Sequence, residues 1–306
     1  MILLGILAAS GAGVTGGVAG YVAGGYTGSY VATVDKFAFP SDSRTTLGTG
    51  LSSARFGLAG MSNLGVAGYA ATGQTSGGFV TTVDKFAFPS DSRSTLGTGV
   101  SNSRREVAGM SNHGVAGYVA GGFKDGSGNF STVDKFAFPA DTQSTLGTGL
   151  SSAREGLAGM ANSGTAGYIA GGYTTSALTT VDKFAFPGDS RTTLGTGLSA
   201  GINGCVGFYN TSTAGYVAGG ATVSTVDKFA FPSDSRTTLG TGLSIARYGS
   251  AGISSSGVAG YVAGGRAGST FYSTVDKFAF PSDTRTTLGT GLSANTWGLA
   301  GFQDAA

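Results

Sequence analysis

His113 is the only histidine, Cys205 the only cysteine and Trp297 the only tryptophan in 306 residues. That inventory narrows the available chemistry. One thiol cannot build a disulfide framework or a multi-thiolate zinc or iron–sulfur site, and one imidazole cannot build a poly-histidine metal centre. A Ser-His-Asp relay would rest on His113 alone, with Ser and Asp scattered everywhere, so no particular triad stands out. His113 falls where other copies of a repeat carry Leu, Ser or Thr, and reads as a structural exception. Cys205 reads as a small buried hydrophobe. The run Asp125-Gly-Ser127-Gly-Asn129 opens like a calcium loop but lacks its closing glutamate. The many G-x-G strings precede no helix, so they are not nucleotide fingerprints. We therefore expect no catalytic residue, no metal and no cofactor. The enzymatic alternative, polysaccharide processing, needs two acids in one pocket. Outside the repeated Asp positions only Glu106, Glu155, Asp125 and Asp304 could supply them.

The remaining charges are periodic. T-V-D-K-F-A-F-P occurs six times, with its Asp at Asp35, Asp84, Asp134, Asp182, Asp227 and Asp276, spaced by 49, 50, 48, 45 and 49 residues. All six prolines end these strings, over 33–40, 82–89, 132–139, 180–187, 225–232 and 274–281. Each runs on into D-[ST]-[RQ]-[ST]-T-L-G-T-G. The Asp and Lys of the string and the Asp and Arg of the following turn account for 23 of the 34 charged residues. Six equal copies point to scaffold, because an active site needs one asymmetric constellation. The turn Asp is expected to accept backbone N–H bonds, and the string's Asp and Lys to bridge neighbouring units. Net charge is +2, which gives no long-range attraction for nucleic acid.

Two further elements share the period. G-Y-x-A-x-G occurs around Tyr21, Tyr69, Tyr118, Tyr168, Tyr216 and Tyr261, and a segment like G-L-A-G-M begins near Gly57, Glu106, Gly156, Cys205, Gly249 and Gly298. With 57 glycines and charged residues at only 11%, helices are disfavoured. Glycine has no every-third period, which excludes collagen. Each unit reads as four short strands: G-L-A-G-M (a), G-Y-V-A-G-G (b), V-D-K-F-A-F (c) with period-two alternation, and T-T-L-G-T-G-L (d). The strand c phenylalanines are expected to press on Ala and Gly of the neighbouring unit.

Six such units predict an all-β, six-bladed β-propeller with four-stranded antiparallel blades. The chain starts near a strand b and ends just after a strand a. The C-terminal strand is therefore expected to complete the N-terminal blade and remove open edges. Residues 18–306 form this single domain. Residues 1–17 are an apolar arm or a first strand, with 1–10 too short to span a bilayer and lacking the basic start of a signal peptide.

The period near 50, the Arg before strand a (Arg55, Arg104, Arg154, Arg247) and the Gly-Gly after strand b resemble the kelch repeat over about residues 18–302. F-P-S-D-S-R replaces the usual Trp, so the resemblance is to a kelch-like variant. The string TVDKFAFPSDSRTTLGTGLSSAR…GVAGYVAGG is similar to repeat proteins of bacteriophage virions, cyanophages in particular. This resemblance implies a virion component released by lysis: a tail-fibre or surface protein that attaches to a host-surface glycan or protein. Other virion subunits, and a homo-oligomeric assembly, are further expected partners. Membrane insertion and nucleic-acid binding are not expected.

The copies differ where the b–c loops (26–31, 74–80, 123–130, 173–178, 221–224, 266–272) and the d–a loops lie, and both should emerge on one face. That face collects the candidate ligand-binding residues Tyr26, Arg55, Phe56, Phe79, Arg104, Arg105, Phe123, Arg154, Tyr173, Arg247, Tyr248, Arg266 and Trp297. Aromatic rings there could stack on sugars, and Arg could chelate carboxylates or phosphates. A purely structural virion protein without a receptor, and a polysaccharide-processing enzyme, are the alternatives.

Overall fold

The computed structural model describes residues 19–304, so the expectations for residues 1–17 lie outside the described residues. Six four-stranded antiparallel sheets stand around a central channel. The innermost strands (a) are Ala59–Asn63, Ala108–Asn112, Ala158–Asn162, Val206–Asn210, Ala251–Ser255 and Ala300–Asp304. Each contacts its two counterparts around the ring. Strand b (Ala19–Ala23 in blade 1) and strand c (Val34–Ala38 in blade 1) follow outward, and strand d (Ser43–Thr46 in blade 1) forms the rim. Ala300–Asp304 pairs antiparallel with Ala19–Ala23, Tyr21 facing Phe302, so the last strand closes blade 1 as expected. Blades 2 to 6 then carry inner strands beginning at Ala59, Ala108, Ala158, Val206 and Ala251. Among the described residues no helix is long and apolar enough to cross a membrane.

Large residues meet small ones between blades. Gly68 of strand b lies so close to Phe302 of the preceding blade that an added Cβ would sit 2.0 Å from its ring. Phe86 and Phe88 of blade 2 pack with Ala19, Tyr21 and Ala23 of blade 1, and Tyr21 stacks on Phe88 with ring centroids 5.2 Å apart. The same cluster recurs at the other interfaces, for example Phe136 and Phe138 on blade 2. Fully burying a ring of this kind contributes roughly 1.5–3 kcal/mol, so repeated inter-blade seams carry most of the ring's cohesion.

Two details differ from the sequence-based expectation. Strand d is Ser-Arg-Thr-Thr rather than T-T-L-G-T-G-L. The Thr46 and Arg44 side chains bond Asp35 of strand c, whereas the following Gly-rich segment leaves the sheet and folds over the blade, where the Leu51 N–H meets the Ala32 carbonyl at 2.8 Å. The turn Asp does not cap its own turn. Asp91 of blade 2 accepts the Tyr21 hydroxyl and the Lys36 ammonium of blade 1, both at 2.7 Å. The clasp repeats at every interface and closes the ring where Tyr261 and Lys277 of blade 6 meet Asp42 of blade 1, at 2.8 and 2.6 Å. The turn Asp residues hold φ near 57°, which aims their carboxylates at the neighbouring blade.

Candidate functional site

The d–a loops deliver the chain back to the channel, and their anchoring explains the recurrent Arg. Arg55, Arg104, Arg154 and Arg247 are fully buried and pair with Asp84, Asp134, Asp182 and Asp276 of strand c, each at 3.0 Å. The Ser52 N–H and hydroxyl also donate to Asp84. Burial opposes ionisation of Asp84, yet the Ser52 amide, Arg55 and the Thr95 and Ser52 hydroxyls outweigh it and hold the carboxyl below its usual range. These four arginines therefore leave the set of candidate ligand contacts. They lie beneath the surface, with their terminal guanidinium donors turned to strand c carboxylates. Blade 5 carries Ile202 at this position and blade 1 carries Thr296.

One step further, the six loops form a closed backbone ring around the channel mouth. The N–H of Gly57 donates to the Gly298 carbonyl, and the pattern runs on through Glu106, Gly156, Gly204, Gly249 and back to Gly298, over 2.6–3.1 Å. All six residues have φ between 56° and 72°. Five are glycine, the residue that tolerates this conformation. The sixth is Glu106.

The residue before each ring position is different in every blade: Trp297, Phe56, Arg105, Glu155, Asn203 and Tyr248 in blades 1 to 6. A second circle comes from the b–c loops, which zip onto the first through backbone bridges: Tyr26 to Trp297, Gln74 to Phe56, Phe123 to Arg105, Tyr173 to Glu155 and Arg266 to Tyr248. In blade 5 the Ala221 N–H reaches the Asn203 carbonyl at 3.2 Å. Both loop sets thus share one face.

The mouth has two unlike halves. Blades 6, 1 and 2 give an aromatic half. Trp297 lies 5.1 Å from Phe56 and 6.0 Å from Tyr248 between ring centroids, with Tyr26 and Phe271 behind. The Arg266 guanidinium lies over Trp297 at 3.9 Å and over Tyr248 at 4.7 Å. The Trp297 indole N–H is buried and has no hydrogen-bond partner among the described residues. Blades 3, 4 and 5 give a polar half of Arg105, Glu106, Glu155 and Asn203. Arg105 bonds the Gln74 amide oxygen, pairs with Glu106 at 3.7 Å and Asp125 at 4.0 Å, and sits among the rings of Phe56, Phe79 and Phe123. The Glu106 and Glu155 carboxyls act on each other's protonation. Burial raises the Glu106 carboxyl against the pull of Arg105 and Arg266, and burial followed by the Glu106 charge pushes Glu155 up to about 7. Between the halves lies a cavity of about 90 Å³, lined by Phe56, Glu106, Asn203, Tyr248 and Trp297.

The far end of the channel carries the other exceptions. Strand a there has Ser62, Ser111, Ala161 and Ser254, but Tyr209 in blade 5 and Gln303 in blade 1. The Tyr209 hydroxyl accepts from the Gln303 amide at 2.6 Å and meets His113 Nε2 at 3.2 Å, so three alternate blades are tied together across the channel. His113 Nδ1 meets the Ser62 carbonyl at 3.0 Å. Burial lowers the imidazole to about 4, leaving it neutral and structural. Cys205 is buried, which pushes its thiol up to about 12 and leaves it unreactive at neutral pH. No group of three metal-ligating side chains occurs among the described residues.

Of the thirteen residues proposed from sequence, nine remain on the loop face: Tyr26, Phe56, Phe79, Arg105, Phe123, Tyr173, Tyr248, Arg266 and Trp297. Phe56 is the most deeply set of them, at 7% exposure. Sequence reasoning placed Glu106, Glu155 and Asn203 in the variable d–a loops, and the two glutamates among the available acids, but left all three out of the ligand-binding set. They occupy the same repeat columns as the glycine ring and the residues before it, so aligning the columns blade by blade would have found them. The chain matches no protein-family model, and no curated protein matches it.

Proposed function

We propose that the channel mouth is a carbohydrate-recognition surface and that the protein is a non-enzymatic attachment protein. One observation carries this reading. The outer strand and the c–d turn, with Ser41, Ser43, Thr45 and Thr46 exposed, are nearly identical in all six blades, whereas the less exposed position at Trp297, Phe56, Arg105, Glu155, Asn203 and Tyr248 holds six different residue types. Exposure alone would loosen both regions, so six unlike residues at one partly buried column point to a ligand; the exceptions at the far end of the channel are instead tied to one another by side-chain hydrogen bonds. The division of that rim suits a sugar, whose C–H face packs on rings while its hydroxyls meet Asn, Arg and carboxyl groups. A cavity near 90 Å³, well below the roughly 300–1,000 Å³ of sites that engulf a small molecule, fits the tip of a glycan whose remainder lies across the loops.

The kelch-like and phage-virion resemblance supplies the setting: a host-surface glycan bound by a particle-borne propeller. The mutual influence of the Glu106 and Glu155 carboxyls favours an enzymatic reading at first sight. Glycoside hydrolysis, however, needs its acids about 5–5.5 Å or 6.5–9.5 Å apart, with the scissile bond between them. Glu106 lines the cavity and Glu155 does not, so the two acids do not flank one substrate-sized space, and the binding reading is preferred.

The test is a glycan array followed by calorimetry with a Tyr248→Ala/Trp297→Ala/Asn203→Ala variant. Loss of binding is expected, with a variant of the opposite face, Val66→Ser/Val258→Ser, binding as the native chain does. Undiminished binding by the triple variant would end the proposal.

A further inference from the structure

We infer that the mouth takes an anionic saccharide, whose carboxylate or sulfate is held by the terminal nitrogens of Arg266. The inference rests on the carbohydrate reading above and turns on which cations of the loop face the scaffold answers. Arg55, Arg104, Arg154 and Arg247 are each paired with a strand c carboxylate. Arg105 is held by Glu106, Asp125 and Gln74 among three rings. Arg266 is different: no carboxylate or amide of the described residues bonds its guanidinium. Its Nε is buried without a partner, while the two terminal nitrogens are neither bonded nor sealed in.

Arg266 is also an exception in its own repeat column. The residue that opens the b–c loop is Tyr26, Gln74, Phe123, Tyr173 and Ala221 in blades 1 to 5. Five blades close with an uncharged residue here, so the fold does not need the charge. Backbone hydrogen bonds to Tyr248, at 2.9 and 3.0 Å, anchor the residue. The guanidinium then lies over the Trp297 and Tyr248 rings, both of which line the mouth cavity. A guanidinium stacked on rings keeps its in-plane N–H groups available. Stacking also fixes it in advance, so less side-chain freedom is lost when a ligand arrives. Its two terminal N–H groups match the paired oxygens of a carboxylate or sulfate.

The acids of the mouth do not take this fork. Glu106 feels the Arg266 charge, but its ion pair is with Arg105 at 3.7 Å. Blades 3 and 6 stand opposite each other in a ring of six, so that pair lies across the mouth from Arg266. A charge-assisted, two-pronged contact strengthens binding on the order of 10- to 100-fold.

The experiment is an array bearing neutral oligosaccharides beside their uronate, sialylated and sulfated counterparts. It compares the native protein with Arg266→Gln and with Lys124→Gln, each checked by its thermal transition. Lys124, on the blade 3 hairpin, is the control for general positive charge. The native protein should bind anionic members at least about tenfold more tightly than neutral ones. Arg266→Gln should shrink that gap to within about threefold and leave binding of the neutral members in place, whereas Lys124→Gln should keep the gap. The series that leads, carboxylated or sulfated, names the anion. Equal or tighter native binding of the neutral series overturns the inference while leaving carbohydrate recognition intact, and so does a gap that survives Arg266→Gln. Absence of binding by every series refutes both.

Discussion

Replacing Glu106 with glycine should stabilise the protein, and by more at pH 8 than at pH 5. Glu106 holds φ 56° in a ring otherwise made of glycine. A left-handed conformation costs a residue with a Cβ about 1–2 kcal/mol. Glycine returns roughly 0.4–1 kcal/mol of this through the flexibility it adds to the unfolded chain. The pH-independent gain is therefore about 0–1.5 kcal/mol.

The carboxyl pair adds a second part. Glu155 is raised to about 7 from the ordinary value of 4.5. The folded chain therefore binds more protons than the unfolded chain across that window, and stability falls as pH rises from about 4.5 to 7. At pH 5 Glu155 is protonated and the pair is favourable. By pH 8 Glu155 has lost the proton it carries below about 7, which adds a negative charge beside Glu106. Two charges 4 Å apart repel by about 4 kcal/mol at an effective dielectric of 20. With the Glu106 side chain 30% exposed, about 1–2 kcal/mol is a fair share after solvent screening. Glu106→Gly should thus raise Tm by ~2–7 °C at pH 8, at roughly 2 °C per kcal/mol for a domain of this size, and by ~3 °C or less at pH 5. Differential scanning calorimetry at both pH values reads the two parts separately. An equal gain at both would show that the carboxyls are uncoupled, and a loss at pH 8 would refute the strain argument as well.

Three further outcomes follow from the scaffold. Asp84→Ala should cost about 3–5 kcal/mol in urea unfolding because it strands the buried Arg55 charge. Arg55→Ile should cost less, since Ser52 and Thr95 still serve Asp84, and blade 5 already pairs Ile202 with Asp227; a larger loss for Arg55→Ile would contradict this assignment. Asp42→Asn, which keeps a residue tolerant of positive φ but removes the anion meeting Lys277 and Tyr261, should lower stability by about 1–2 kcal/mol, matching Asp91→Asn at an interior interface; a silent Asp42→Asn would mean the ring is not sealed there. Tyr209→Ser should uncover His113, whose imidazole, lowered to about 4, makes native stability fall as pH drops from 6.5 toward 4. Its NMR titration should move toward 6.5 in the variant, and an unmoved midpoint would count against burial by Tyr209.

The repeat made the architecture readable. Six copies of V-D-K-F-A-F, each with alternating faces, define one blade type, and the out-of-phase ends at Tyr21 and Phe302 define the closure. The fate of the charges was not readable, because the partners of Asp84 and Asp91 come from 29 and 55 residues earlier in the chain: Arg55 in the incoming loop and Lys36 in the previous blade. Spacing within one copy cannot distinguish a side chain that bonds its own turn from one that bonds the next unit. The same limit put Arg55, Arg104, Arg154 and Arg247 among the surface candidates. A recurrent Arg on a loop looks like a ligand contact until strand c is seen to supply its carboxylate.

That error also shows how a site can be sought in a symmetric scaffold. Any residue present in all six blades is answered by a partner also present in all six, as Tyr21 and Lys36 are by Asp91. Asymmetric chemistry must then come from positions where one copy departs from the rest without a matching departure in its scaffold partner. Ile202 fails this criterion as a functional candidate, since it merely omits an arginine whose carboxylate has other donors. Glu106 meets it. Its neighbours in the ring are all glycine, its backbone gains nothing from a side chain, and its carboxyl acts on the protonation of Glu155, itself one of six unlike residues at the mouth. A strained exception beside a second exception is difficult to explain as packing.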